Sequence, residues 1–308
     1  MLPSPDQVAA VVVAYHPDLA LLDRLFAAVR PQVATIVVVD NTPAASGKAP
    51  LRAPAGVHVL PLGANVGLAA GINRGCEFAR AQGARFVLLF DQDSEPAEGM
   101  TQRLCEAWAA AAAQGRRLAA AGPRFEDDRG AHTAPFLRVG FPRNRAVDAD
   151  GECQVFVDVD MLITSGSLVS AEALDDVGGM DESLFIDNVD IEWCFRAKAR
   201  GWDLAGAPLA TLAHRLGDEH VTAPAWARAL GKASAIHHAP VRLYYITRNR
   251  IRLYWMAHVP LAWKAQDMLR LPAKIALSLW IAPDRREAAK ALARGVVDGF
   301  ANRGGARP

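Results

Sequence analysis

Little in this sequence is extreme, and its shortages are informative. An excess of one charge is missing: 34 basic and 33 acidic residues leave a formal net charge of +1 over 308 residues. A general nucleic-acid binder needs a strong basic bias, so that class is excluded. Cysteine is scarce, and Cys76, Cys105, Cys153 and Cys194 are scattered without CxxC or Cys/His spacing. That scatter excludes structural zinc and a disulfide framework, and it fits a reduced compartment. No window reaches about 18 uninterrupted apolar residues, so no membrane span is expected. The N-terminus lacks a basic region followed by an apolar core, which points to the cytoplasm. Neither GxGxxG nor GxxxxGK(S/T) occurs, which argues against a dinucleotide-binding oxidoreductase and a P-loop enzyme. There are no internal repeats.

What is present is a globular composition, 51% hydrophobic and 22% charged, long enough for one large domain or a domain with an appendage. Val8 to Tyr15 reads as a buried strand closed by His16-Pro17. A helix follows over Leu19 to Val29, then a strand over Thr35 to Val39 that ends in Asp40-Asn41. Val57 to Leu60 is a short strand, and Asn65 to Asn73 opens a helix running to about Gln82. Phe86 to Phe90 has the saturation of a strand buried on both faces and stops at Asp91-Gln92-Asp93-Ser94. A helix from about Ala97 to Gln114 and strands at Leu118 to Gly122, Gln154 to Thr164 and Ala207 to Ala213 continue the alternation. A short helix is expected over Ala171 to Asp176 and a longer one over Asp187 to Arg200. This pattern predicts an α/β fold with a mostly parallel sheet flanked by helices. Beyond Gly217 the composition shifts to basic, aromatic amphipathic helices over Tyr244 to His258, Leu261 to Trp280 and Arg285 to Phe300. The expected division is residues 1–217 and a C-terminal helical extension, 218–308.

Three strands end in polar residues, which places Tyr15-His16, Asp40-Asn41 and Asp91 to Ser94 on one edge, where ligands of open α/β sheets bind. In an extended segment Asp91 and Asp93 point the same way, and two carboxylates there can hold Mg²⁺ or Mn²⁺ against a diphosphate. A solvated acidic turn is the plainer alternative. Asp40-Asn41 can meet a base or ribose, or form an Asx turn into Thr42-Pro43. Asn65 and Gly67 suit either a phosphate-binding helix entrance or a plain N-cap. Asp187 and Asp190, three apart at a helix start with Phe185, Ile186 and Trp193 around them, fit a general base or simple helix capping. His214 follows a strand near the same edge, where it can ligate the metal, contact the diphosphate or serve structure alone. His237, His238 and His258 are expected at a surface or interface.

Taken in order, VVVAYHPD, VVVDN, NVGLAAGINRG, LLFDQDS, ITSGSLVS, GGMDESLFIDNVDIEWCFRA and LAHRLGD resemble glycosyltransferase family 2, the inverting enzymes with a GT-A fold. The resemblance covers about residues 7 to 217. DQDS, FIDxVDIE and the later YYxxRN (Tyr244, Tyr245, Arg248, Asn249) resemble the rhamnosyltransferase branch, which uses dTDP-L-rhamnose, and Val297 to Gly305 is similar to chain ends there. The resemblance implies that Tyr15, His16 and Pro17 line the nucleotide pocket and that Asp40 and Asn41 hold base and ribose. It implies that Asn65, Gly67 and Asn73 shape the donor pocket and that Asp91 and Asp93 are the DXD pair, Asp93 the direct metal ligand. Ser165, Gly166, Ser167 and Trp193 fall to the acceptor, and His214 to the metal.

Many members carry Glu-Asp-Val-Asp where this chain has Asp187-Asn188-Val189-Asp190. Asn188 thus occupies the usual base position and cannot take a proton. Asp187 is the first choice for the base and Asp190 the second. The implied reaction is a single in-line displacement delivering L-rhamnose from dTDP-L-rhamnose to a lipid-linked or glycolipid acceptor, with Mg²⁺ or Mn²⁺ as cofactor. Trp255, Trp263 and Trp280 among the basic helices suit a peripheral site on the inner membrane face, or equally a helical appendage. Two rival readings are a transferase for another nucleotide sugar and a sugar-nucleotide-binding scaffold without a base.

Overall fold

Every residue of β1 (Val8–Ala14) is buried, as a strand covered by helices on both faces requires. Val8, Ala10 and Val12 join an apolar cluster with Leu22, Leu25 and Phe26 of α1 (Leu19–Val29). Ala9, Val11 and Val13 join the opposite cluster with Ala69, Ile72 and Cys76 of α2 (Leu68–Ala81). A third helix, α3 (Met100–Ala113), adds Leu104 and Trp108 to the α1 side. The computed structural model from which these contacts come describes residues 2–47, 50–126, 133–147, 149, 154–213, 219–222, 224 and 234–307.

Beside β1 run β2 (Thr35–Asp40), with β3 (Val57–Pro61) beyond it, and on the other side β4 (Phe86–Asp91), all parallel. Ala14 pairs with Asp40, and Val13 pairs with Asp91. The three strands therefore end level, and the expected functional edge forms. The close seat of α2 explains one glycine there: a Cβ on Gly75 would lie 2.3 Å from Val11 Cγ1.

The remaining strands are β5 (Glu95–Pro96), β6 (Leu118–Glu126), β7 (Thr133–Ala134), the paired β8 (Phe136–Arg138) and β9 (Arg145–Val147), β10 (Val157–Val159), β11 (Leu168–Ser170) and β12 (Asp203–Ala213), with β13 (Glu219–Thr222) pairing β14 (Ser234–His237). The main sheet runs β10-β12-β6-β11-β4-β1-β2-β3. Its second half is mixed, because β11 lies antiparallel to both β4 and β6. The turn before β11 causes the reversal: Gly166 N–H donates to the Leu89 carbonyl at 2.6 Å, and Leu89 N–H to that of Ser167 at 3.0 Å. The strand expected over 154 to 164 shrinks to β10, because the Asp160 carboxylate takes Val139 N–H at 2.7 Å and pairs with Lys198.

Two helices close the α2 side, α4 (Ala171–Val177) and α5 (Val189–Ala199). The latter begins later than expected, because Asp187 and Asn188 hold φ of 64° and 61°. Asp187 and Asp190 therefore do not share a helix face.

Three helices end the chain: α6 (Pro240–Trp255), α7 (Leu261–Ile281) and α8 (Arg285–Phe300). The expected basic surface of α6 is partly turned inward. Arg248, Asn249 and Arg252 are buried, and so is Trp263, edge-on to Phe195 with ring centroids 5.6 Å apart. Trp255 and Trp280 stay exposed.

Candidate active site

The level strand ends open into a cleft of about 870 Å³. Its sheet-side wall carries Tyr15, Asn41, Asn65, Gly67, Asp91, Gln92 and Asp93. The facing wall is the loop Phe185 to Asn188 with Asp190, and α6 closes it with Val241, Arg242 and Tyr245, next to His238. Ile163 and Thr164 also line the cleft.

On the sheet side, Asp91 is the last residue of β4 and Gln92-Asp93 forms a turn, closed by Ser94 N–H donating to the Asp91 carbonyl at 3.2 Å. The turn, not strand alternation, brings both acids to the cleft. Between them, Gln92 ties β4 to β1, its Oε1 accepting Tyr15 N–H at 2.7 Å. Ser94 meets Ser165 hydroxyl to hydroxyl at 2.6 Å, both buried, which anchors the turn from beneath.

Asn41 is buried and holds the loop before α2, accepting Val66 N–H at 2.9 Å and donating to Asn65 Oδ1 at 3.1 Å. Asp40 forms the Asx turn, its Oδ1 accepting Thr42 N–H at 3.0 Å. Gly67 has φ 91°, and a Cβ there would lie 2.6 Å from Phe185 Cδ2 and 2.7 Å from the Phe185 oxygen. That oxygen accepts Ala69 N–H at 3.2 Å, so the facing loop occupies one amide at the α2 entrance.

Several expected site residues lie away from the cleft surface. Asn73 brackets the loop at 180, donating to the Met180 carbonyl at 3.0 Å and accepting Met180 N–H at 2.8 Å. Ser165, Gly166 and Ser167 make the buried turn, with Ser167 Oγ donating to the Ile163 carbonyl at 2.6 Å. Trp193 sits in the core, its indole N–H donating to the Gly178 carbonyl at 2.9 Å. His16 and Pro17 stand behind Tyr15; His16, at φ 46°, donates its N–H to Thr42 Oγ1 at 3.0 Å. His214 lies outside the described residues. His258, expected at a surface or interface, is partly exposed and places Nε2 2.9 Å from the buried Glu192.

The facing wall separates the two candidate bases. Arg242 donates to Asp187 Oδ1 at 2.6 Å. Asp187 Oδ2 is buried and has no hydrogen-bond partner among the described residues. Asp190 has its carboxyl pushed up to about 6, chiefly by burial and further by the charges of Asp187 and Asp91. The Asp190 carboxyl therefore feels both Asp187 and Asp91. Arg242, His238 and Tyr245 were not singled out as site residues from sequence; YYxxRN pointed to the helix of Arg242 and Tyr245 without saying which way it faced.

A sequence model described as Glycosyl transferase family 2 matches residues 10–178. The chain is 32% identical over 262 residues, 85% of its length and 84% of the relative's, to a protein named dTDP-rhamnosyl transferase RfbF from Shigella flexneri. Among solved structures it is similar to GalNAc-T7 crystallised with UDP, GalNAc and Mn²⁺, at a TM-score of 0.58 and 12% identity. That match covers 97% of this chain and 56% of the other, and at such identity it speaks for the fold alone. The GT-A architecture expected from the motifs is the one observed.

Proposed function

The chain belongs to glycosyl transferase family 2, and from that premise we propose that it moves L-rhamnose from dTDP-L-rhamnose to a hydroxyl of a lipid-linked saccharide or glycolipid, with inversion. The donor choice is supported by the name of the 32% identical relative and by the DQDS turn. The observation that carries the mechanism is the position of Asp190, a half-buried carboxylate across the cleft from Asp91.

A base works best with a pKa near the operating pH. Asp190 meets that condition, whereas Asp187 is committed to Arg242. The preference inferred from sequence is therefore reversed, and Asp190 takes the acceptor proton. Among the described residues the Oδ2 of Asp187 lacks a donor, a costly state that a sugar hydroxyl would relieve. Arg242 pairs with Asp187 and adds positive charge beside the leaving diphosphate. Thr164 and Tyr245 shape the acceptor side, and Asn41, Asn65 and Gly67 the donor side.

The donor set for a metal is Asp91 and Asp93, hard oxygen ligands fitting Mg²⁺ or Mn²⁺, which use one or two carboxylates plus substrate phosphates. Among the described residues no group of three His, Cys, Asp or Glu could hold an ion alone. When bound, it would neutralise charge developing on dTDP.

Residues 1–217 form the transferase domain in this reading, and 218–308 a helical region that completes the acceptor side. No helix among the described residues is long and apolar enough to cross a membrane. Exposed Trp255, Leu261, Leu269 and Trp280, with Arg285 5.7 Å over the Trp280 ring, suit peripheral contact with a lipid surface presenting the acceptor, at the cytoplasmic face.

The test is a panel of nucleotide sugars with Mg²⁺ or Mn²⁺, following nucleotide release. Turnover of dTDP-L-rhamnose above all others supports the donor assignment, and turnover no greater than with UDP-glucose sinks it. Unimpaired transfer by Asp190→Asn removes the base assignment.

A further inference from the structure

We propose that Asn249 and Arg248 are positioning residues for the general base, acting as a clamp that sets the backbone from which α5 and Asp190 start. The proposal rests on the assignment of Asp190 as the base. Phe185, Asp187 and Asn188 hold φ of 66°, 64° and 61°. Asp and Asn enter this region more readily than other residues with a Cβ, whereas a Phe held there persists only where surrounding structure over-determines it. Here the surroundings are two side chains of α6.

The Nδ2 of the fully buried Asn249 lies 2.9, 2.7 and 2.9 Å from the carbonyl oxygens of Leu184, Ile186 and Asp187. Its Oδ1 accepts Arg248 Nε–H at 2.9 Å, which fixes the amide's orientation. Arg248 donates from Nη2 to the Leu184 carbonyl at 2.9 Å and from Nη1 to that of Gly305 at 2.6 Å. Orienting these carbonyls sets the peptide planes around Asp187 and Asn188, hence the direction in which Asp190 leaves the loop. A buried apolar side chain would fill the same space but could not aim a carbonyl. The second half of the clamp lies outside α6. Gly305 N–H donates to the Ser183 carbonyl at 2.6 Å, and a Cβ on Gly304 would come within 2.8 Å of Ser183 Cβ.

The test uses the full chain and three measurements: dTDP affinity with Mn²⁺, kcat, and the pH profile of kcat. Asn249→Ala is expected to bind dTDP within about threefold of wild type while kcat falls on the order of 100-fold, the cost of a misplaced reacting group. The acid limb of its pH profile should also move from the wild-type position. A folded Asn249→Ala with wild-type kcat overturns the proposal. So does a parallel loss of dTDP affinity and kcat with an unmoved limb, the signature of a merely structural role. Should Asn249→Ala not fold, Gly304→Val loosens the clamp from its outer side. A roughly tenfold loss of kcat at unchanged dTDP affinity then supports the clamp, and unchanged kcat overturns it. If the wild type prefers another nucleotide sugar, the donor reading fails and the same comparison runs on that sugar. If Asp190→Asn keeps full kcat, the base reading fails and the clamp falls with it.

Discussion

The two walls of the cleft are held by different means. On the sheet side, the ends of β1, β2 and β4 are fixed by ladder registers extending back through whole strands. On the facing side, the loop from Ser183 to Asn188 belongs to no strand or α-helix, and carbonyls at 184, 186 and 187 are held by one amide 62 to 65 residues further along. The first wall draws its order from many equivalent bonds and tolerates local change. The second depends on a few irreplaceable donors, so a single substitution there alters chemistry before it alters the fold.

The sharpest way to separate the walls is to remove the base. Asp190→Asn should lower kcat on the order of 10³-fold while dTDP affinity, set by the sheet side, hardly changes; steady-state kinetics beside calorimetric titration read both. Next comes Asp91→Asn, expected to lower kcat/KM on the order of 10²-fold and, unlike the first change, to remove the Mn²⁺ dependence of dTDP binding. A purely architectural break follows: Gly75→Ala drives a methyl into Val11, where a Cβ would lie 2.3 Å from Cγ1. It should cost about 1–3 kcal/mol, seen as a lower melting temperature, with kcat per folded molecule kept.

The smallest effect is a displaced pH profile. The base must be ionised, so kcat should rise with pH through about 6, where the Asp190 proton leaves. Arg242→Gln leaves the Asp187 charge uncompensated and moves that limb to higher pH, while Asp187→Asn moves it lower. Stability follows the opposite course. The native state holds the Asp190 proton more tightly than the unfolded chain does, so this group's contribution falls as pH rises from the ordinary carboxylate range through about 6. Chemical denaturation at pH 5 and 7, with Asp190→Asn as the reference, isolates it.

The contrast also explains what the sequence discloses. The apolar runs at Val8, Thr35 and Phe86, each ending in polar residues, announce the sheet wall because strand ends are local events. Asp91 and Asp93 reach the cleft, though through a turn that alternation does not describe. Asn73 and Ser165 to Ser167 carry motif patterns yet serve the backbone, since the same hydrogen-bonding groups suit either use. β11, only three residues long, leaves no periodic trace. The choice between Asp187 and Asp190 turned on Asn188 occupying the usual base position, and the expected helix over 187 to 200 hid the break that sets the two acids apart. Asp and Asn are among the residues that enter the left-handed region most readily, but the carbonyls around them are held by Asn249 and Arg248, more than sixty positions away, and that contact leaves no local pattern.

Gly67 joins the two walls most tightly, and this bears on how such an enzyme can diversify. A side chain at 67 would strike both the ring and the backbone oxygen of Phe185, and Phe185 lies two residues before Asp187. A lineage enlarging position 67 would need a compensating retreat at 185, dragging the acidic loop along. Substitutions that retune sugar choice are thus steered away from this junction and toward positions such as Tyr15 or Thr164, which line the cleft without bridging it.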